Sequence, residues 1–270
     1  MIAAILPHPP LLVPSVGRGQ EDGIPDTLCA YRKICAAVKE EAPDRLVLVS
    51  SHVPMVSDLF LLPSDAEFTG DFRDFGDYET KLRTAGDPSF LRLLMRRDEQ
   101  RAIPYATDTV PVADHATAVP LFFLREAGVR VPVVRVAISG LSLEKHRAMG
   151  RALARAAKEA QGKTVFLASG DLSHVLKETG PYGYRKEGPA YDERVMKDLK
   201  AADFEALMSY DPSFLEKAAE CGHRTFVMLG GALEGYDVHT EFASYEGPFG
   251  VGYGSVFYRL KEKEAACTPM

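Results

Sequence analysis

The sequence predicts an α/β protein built on a largely parallel sheet, and three observations carry that expectation. Short apolar runs alternate with amphipathic stretches along the chain, as they do where strands alternate with helices. Of the four principal runs, residues 2–6, 45–50, 132–138 and 164–168, three are almost continuously hydrophobic, which suits strands buried on both faces. β-branched residues gather in these runs, as in Val47-Leu48-Val49 and Val133-Val134-Arg135-Val136.

Residues 2–6 are the first expected strand. Residues 25–41 follow as a helix, with Leu28, Ile34, Ala37 and Val38 on one face and Pro25-Asp26 in the first turn. Residues 45–50 are the second strand. Residues 63–87 break the pattern: Phe68, Phe72, Phe75 and Tyr78 stand among acids and glycines, so an irregular insertion or lid is expected. Beyond it come a helix over 117–127, a strand over 132–138, an Ala- and Arg-rich helix over 143–161 that stops at Gly162, and a strand over 164–168. Helices over 188–201 and 222–234 complete the alternation. Residues 249–258 intersperse Gly250, Gly252 and Gly254 with larger side chains, a final strand against which another segment packs closely. With no repeat, low-complexity segment or break in composition, one domain over residues 1–258 and a frayed polar tail over 259–270 are expected.

Composition narrows the classes. The 270 residues are 46% hydrophobic and 26% charged, with a net charge of −6, which excludes a disordered, collagen-like or disulfide-stapled chain. No basic stripe supports nucleic-acid binding. Four cysteines, Cys29, Cys35, Cys221 and Cys267, make no disulfide framework and fit a reducing cytoplasm. Residues 1–6 are apolar but lack a basic flank and stop at Pro7, so neither a signal peptide nor a membrane anchor is expected.

The chemistry lies with the histidines. His146 sits in Leu-Glu-Lys-His-Arg and reads as a solvated surface residue, and His239 lies in a polar stretch. The other five are placed differently. His8, His52 and His174 each follow an expected strand, His115 precedes a helix and His223 opens one. Ligands of open α/β sheets bind beyond the carboxyl ends of the strands, and neutral imidazole is the commonest metal ligand. Prolines beside His8 and His52 stiffen their loops. A third ligand could come from Asp171, Glu220, Cys221 or another histidine. Two histidines with a carboxylate suit non-haem Fe(II), and two with a thiolate suit zinc or copper. The glycines match neither dinucleotide nor P-loop fingerprints, and no Gly-x-Ser-x-Gly elbow is present.

Six segments in order carry a resemblance: Pro-His-Pro-Pro-Leu at 7–11, Ser-Ser-His at 50–52, Asp-His-Ala-Thr-Ala-Val-Pro-Leu at 114–121, Ala-Ser-Gly-Asp-Leu-Ser-His at 168–174, Glu-Lys-Ala-Ala-Glu-Cys-Gly at 216–222 and Tyr-Glu-Gly-Pro-Phe-Gly-Val-Gly-Tyr-Gly at 245–254. Together they resemble the LigB-type B subunit of class III extradiol ring-cleavage dioxygenases, in the branch of the Memo and AmmeMemoRadiSam-type proteins. The resemblance implies a three-layer α/β/α domain with a mixed, largely parallel central sheet. It implies His8 and His52 as metal ligands, His174 as the acid/base, and His115 facing substrate or O2. The dioxygenases place a glutamate near Glu220, whereas the Memo-like proteins carry a cysteine matching Cys221, so both stand as third ligand. Asp171 either orients a neighbouring imidazole or caps a turn.

The implied activity is Fe(II)-dependent opening of a catechol-like diol with O2, with zinc or copper as the other metals. The alternatives are a Memo-like metal or redox protein that acts with a protein partner, and zinc-dependent hydrolysis in the same pocket. Expected partners are the small diol and O2, an AMMECR1-type protein supplied as a separate chain, and further copies of this chain; no nucleic acid and no membrane are expected.

Overall fold

The computed structural model describes residues 1–97 and 103–263. In chain order its elements are β1 (Ile2–Leu6), α1 (Pro14–Gly17), α2 (Pro25–Glu41), β2 (Arg45–Ser50), β3 (Phe60–Pro63), β4 (Glu67–Phe72), β5 (Asp77–Ala85), α3 (Pro88–Arg97), β6 (Tyr105–Asp108), β7 (Val112–Ala113), α4 (His115–Glu126), β8 (Val133–Ala137), α5 (Leu143–Ala160), β9 (Thr164–Ser169), α6 (Glu187–Lys200), α7 (Pro212–Ala218), α8 (His223–Leu233), β10 (Tyr236–Glu246) and β11 (Tyr253–Glu262). The central sheet has the order β10-β11-β1-β9-β2-β8. Strands β1, β9, β2 and β8 run parallel, while β11 and β10 close one edge antiparallel. The expected mixed, largely parallel sheet is present.

Alternation of side chains across the strands divides the core in two. Ala3, Ile5, Val47, Val49, Val134, Val136, Phe166 and Ala168 bury on one face with α3, α5, α6 and α8. Ile2, Ala4, Leu6, Leu46, Leu48, Val133, Val165 and Leu167 bury on the other with α2 and α4. This two-residue period explains why the strands are hydrophobic throughout, and it makes three layers. Among the described residues no helix is long and apolar enough to cross a membrane.

Two expectations are corrected. Residues 63–87 are not irregular: β4, β5 and β7 form a three-stranded sheet in the order β5-β4-β7, and β3 pairs with β6 beside it. Along β4, Phe68, Gly70 and Phe72 are buried between more exposed neighbours; the glycine and the acids mask that alternation in the sequence. Nor does a tail begin at residue 259. Strand β11 runs to Glu262 because Arg259, Lys261 and Glu262 pair with His239, Asp237 and Tyr236 of β10; its polar side chains belong to the exposed side of an edge hairpin. Residues 264–270, with Cys267, lie outside the described residues.

Candidate metal centre

Adjacent strands β1, β9 and β2 end in one row, with Leu6 and Ser50 both in register with Ser169. His8 and His52 each lie two residues past that row, on either side of β9. Tyr31 of α2 donates its hydroxyl to the Pro7 carbonyl and holds the first of these turns. Cys221 arrives from the turn before α8. Ligand atoms of His8, His52 and Cys221 lie within 4.8 Å of one another, and Cys221 Sγ is 3.7 Å from His8 Nε2. His115, first residue of α4, joins the imidazoles, its ring centroid 4.4 Å from that of His52 and 5.3 Å from that of His8. Two glycines allow the Cys221 turn to come so near. A Cβ on Gly170 would stand 2.3 Å from the Gly222 Cα, and this approach lets the Asp171 amide donate to Cys221 Sγ at 3.2 Å.

The proton positions follow from the partners. Pro120, inside α4, has no N–H to give the Ala116 carbonyl four residues earlier. That carbonyl instead accepts the Ser169 hydroxyl at 2.6 Å. Ser169 Oγ, its proton engaged there, accepts from His8 Nδ1 at 3.0 Å. His8 therefore carries its proton on Nδ1 and turns a bare Nε2 toward Cys221. His174 is fixed in the same tautomer: Nδ1 donates to the Ala219 carbonyl at 2.6 Å, which leaves Nε2 without a proton. Burial, reinforced by the neighbouring imidazoles His52, His115 and His174, holds His8 well below the ordinary histidine pKa. Burial likewise lowers His52 and His174, and burial with the His52 charge brings His115 down to about 4. Burial next to Asp171 and Glu220 raises the Cys221 thiol. Burial also lifts Asp171 to about 7, against the stabilising His8 N–H that its Oδ1 accepts at 2.7 Å.

Two imidazoles that burial keeps neutral and a thiol that burial keeps protonated thus gather their ligand atoms at one spot. This donor set suits a borderline divalent cation, whose charge would displace the thiol proton.

The family model for the catalytic LigB subunit of aromatic ring-opening dioxygenases matches residues 2–256. This chain belongs to the LigB family. Family members are metal-dependent dioxygenase-type oxidoreductases, and among the described residues His8, His52 and Cys221 form a group that could hold a metal ion. Protein CA_C1420 of Clostridium acetobutylicum is 34% identical over 260 residues, which cover 93% of this chain and 55% of that protein. The chain therefore spans about half the length of that relative. The crystal structure of the uncharacterized protein JW3007 from Escherichia coli K12 superposes with a TM-score of 0.65 at 18% identity, over 95% of this chain and 99% of that one; it shares the fold.

In this LigB-family chain the other sequence candidates separate. Glu220, the rival third ligand, accepts the His223 N–H at 2.5 Å and caps α8, so its carboxylate lies outside the three-ligand group. His223 is buried away from the imidazole cluster: Nε2 donates to the Leu207 carbonyl at 2.9 Å and Nδ1 faces the Tyr191 hydroxyl. Asp114 caps α4 through Thr117 and accepts the Ser50 hydroxyl. His146 is not a solvated residue. It is 0% exposed, because His146, Met149, Gly150 and Leu153 form the buried stripe of α5. His239 is exposed on β10.

Sequence reasoning missed Tyr182, whose ring stands edge-on to His174 at 5.4 Å. Phe75, from the expected lid, stands edge-on to His115 at 5.2 Å. Neither tyrosines nor phenylalanines in loops carry a positional signal that would have ranked these two above the rest.

Proposed function

We propose that this protein is a class III extradiol-type dioxygenase that opens a catechol-like diol with O2, using Fe(II) held by His8, His52 and Cys221. The convergence of ligand atoms from two imidazoles and a thiol within 4.8 Å of one another, with His115 and His174 alongside, is the observation that supports it most. Bound Fe(II) would supply the redox centre at which diol and O2 meet. His174 accepts a diol proton at Nε2, the nitrogen its Ala219 contact leaves free. His115, held neutral by burial, donates a hydrogen bond to the developing oxyanion. Asp171 keeps the His8 backbone in place through its N–H. Phe75 and Tyr182 stand edge-on to His115 and His174 and would flank a bound diol.

The test is anaerobic reconstitution with Fe(II), metal stoichiometry, and O2 uptake over a catechol panel. Uptake with a new yellow ring-fission absorbance is the expected result. Bound iron with no uptake on any diol would remove the dioxygenase reading, and stable zinc or copper would point to the other chemistries of this donor set.

One observation favours a second reading, a Memo-like protein that uses this crevice on a protein partner. Phe75 and Tyr182 are 38% and 64% exposed, and each stands against a site histidine. Exposed aromatics beside the imidazoles suit a polypeptide as well as a small diol. An AMMECR1-type protein and a second copy of this chain are the partners to try in co-purification.

A further inference from the structure

His52 is held less directly than the other imidazoles. Ser169 and Ala219 fix ring nitrogens of His8 and His174, but among the described residues nothing hydrogen-bonds the His52 ring. Its position therefore depends on its loop, residues 51–59, between β2 and β3. Val53 packs under that loop with Leu61 and Ala137. Val56 bridges to Ser139, and the Gly140 N–H donates to the Val56 carbonyl at 3.0 Å. Gly140 lies so close to Ser57 that a Cβ there would stand 2.6 Å from the Ser57 carbonyl oxygen. The His52 loop thus rests on the turn that follows β8.

That turn is gripped from below by a histidine outside the metal cluster. His146 Nε2 accepts the Ser139 N–H at 3.2 Å, while Nδ1 donates to the Ser142 carbonyl at 2.9 Å. The same ring stands edge-on to Phe60 at 4.9 Å, and Phe60 opens β3, where the His52 loop ends. One neutral imidazole therefore touches both the turn that supports the loop and the residue that closes it. Only the Nδ1–H tautomer provides an acceptor to Ser139 and a donor to Ser142 at once.

We infer that His146 is a positioning residue for the metal site: it holds the Ser139–Gly140 turn and Phe60 so that the 51–59 loop presents His52 to the metal. The inference rests on the metal reading of His8, His52 and Cys221. Outer partners of metal ligands typically carry a 10–100-fold share of metal affinity, and this one acts through a loop, so an effect of about 10-fold is expected.

The experiment uses Co(II) as the probe. Its dissociation constant is measured by chelator competition, with the thiolate-to-cobalt absorption reporting Cys221. His146→Leu should weaken Co(II) about 10-fold. His146→Gln, whose amide oxygen can accept from Ser139, should recover most of that loss. In a His52→Ala background His146→Leu should cost nothing more, because the route through His52 is already gone. In the metal-free protein His146→Leu should speed amide exchange at residues 53–57, a readout independent of any metal. Wild-type Co(II) affinity in His146→Leu beside lost affinity in His52→Ala would overturn the inference and leave the metal site standing. An equal loss in the His52→Ala background would also overturn it, as general destabilisation. If His52→Ala binds Co(II) as the wild type does, the metal reading itself falls and the inference with it.

Discussion

Ser169→Ala probes the hydrogen-bond relay that prepares His8. Ser169 is fully buried and bridges the Ala116 carbonyl, which Pro120 cannot serve, and His8 Nδ1–H, on a ring 1% exposed. Removing the hydroxyl strands both. A buried unsatisfied group costs about 1–3 kcal/mol, so two should cost about 2–4 kcal/mol once partial relaxation is allowed. His8 also loses what fixes its tautomer, and metal affinity should fall about 10–100-fold. Urea denaturation of the metal-free protein reads the first loss and Co(II) competition the second. Pro120→Ala separates them. It returns an N–H to the Ala116 carbonyl, so the Ser169→Ala/Pro120→Ala protein should regain roughly half of the stability but none of the metal affinity. If the double variant is no more stable than Ser169→Ala, or if Ser169→Ala binds metal as the wild type does, the relay does not exist as described.

Three further outcomes are expected. Asp192, 2% exposed, is pushed by burial from 3.8 up to about 7, against the Ser173 N–H and Tyr245 hydroxyl it accepts. The folded state then binds this proton more tightly than the unfolded chain, so stability falls as pH rises from about 4 to about 7, by at most ~4 kcal/mol from this group. Asp192→Asn should flatten that slope in denaturation curves taken at pH 5 and 8, and parallel slopes would refute the assignment. Gly170→Ala should displace the Cys221 turn, since its Cβ meets Gly222 Cα at 2.3 Å; the thiolate-to-cobalt band should be lost or strongly weakened, and an unchanged band would show that the approach is not needed. Arg135, buried in β8, pairs with Asp65 at 3.0 Å and lies 3.9 Å over the Phe68 ring. Asp65→Ala should destabilise by about 3–5 kcal/mol, and adding Arg135→Met should recover much of it, because an unpaired buried charge costs more than an absent pair; no recovery on thermal melting would refute this.

The resemblance in six ordered segments and the strand-end histidines together named His8, His52, His115, His174 and Asp171, with Cys221 or Glu220 as third ligand; the structure gathers His8, His52, His115 and Cys221 into one cluster with His174 near it. Local pattern failed where a residue's neighbours in sequence differ from its neighbours in space. Leu-Glu-Lys-His-Arg reads as solvent-exposed, yet His146 points from the buried stripe of α5 to a turn seven residues back in the chain. Glu220 and Cys221 differ by one position, and no spacing rule separates them; the His223 N–H on the Glu220 carboxylate does.

By itself the sequence determined the fold class, the strands of the parallel core, most helices and the residue types of the candidate metal site. These rest on two-residue and 3.6-residue periodicities and on residue chemistry, all of them local. Only the tertiary structure decided which nitrogen of His8 is bare, because that depends on Ser169, Ala116 and Pro120 meeting across more than a hundred residues of chain. It alone decided that Cys221 reaches the imidazoles, because Gly170 and Gly222 must touch, and that β11 continues to Glu262, because β10 lies beside it. Hydrogen-bond geometry and close backbone approach are properties of pairs distant in sequence, and no window on one strand or helix contains them.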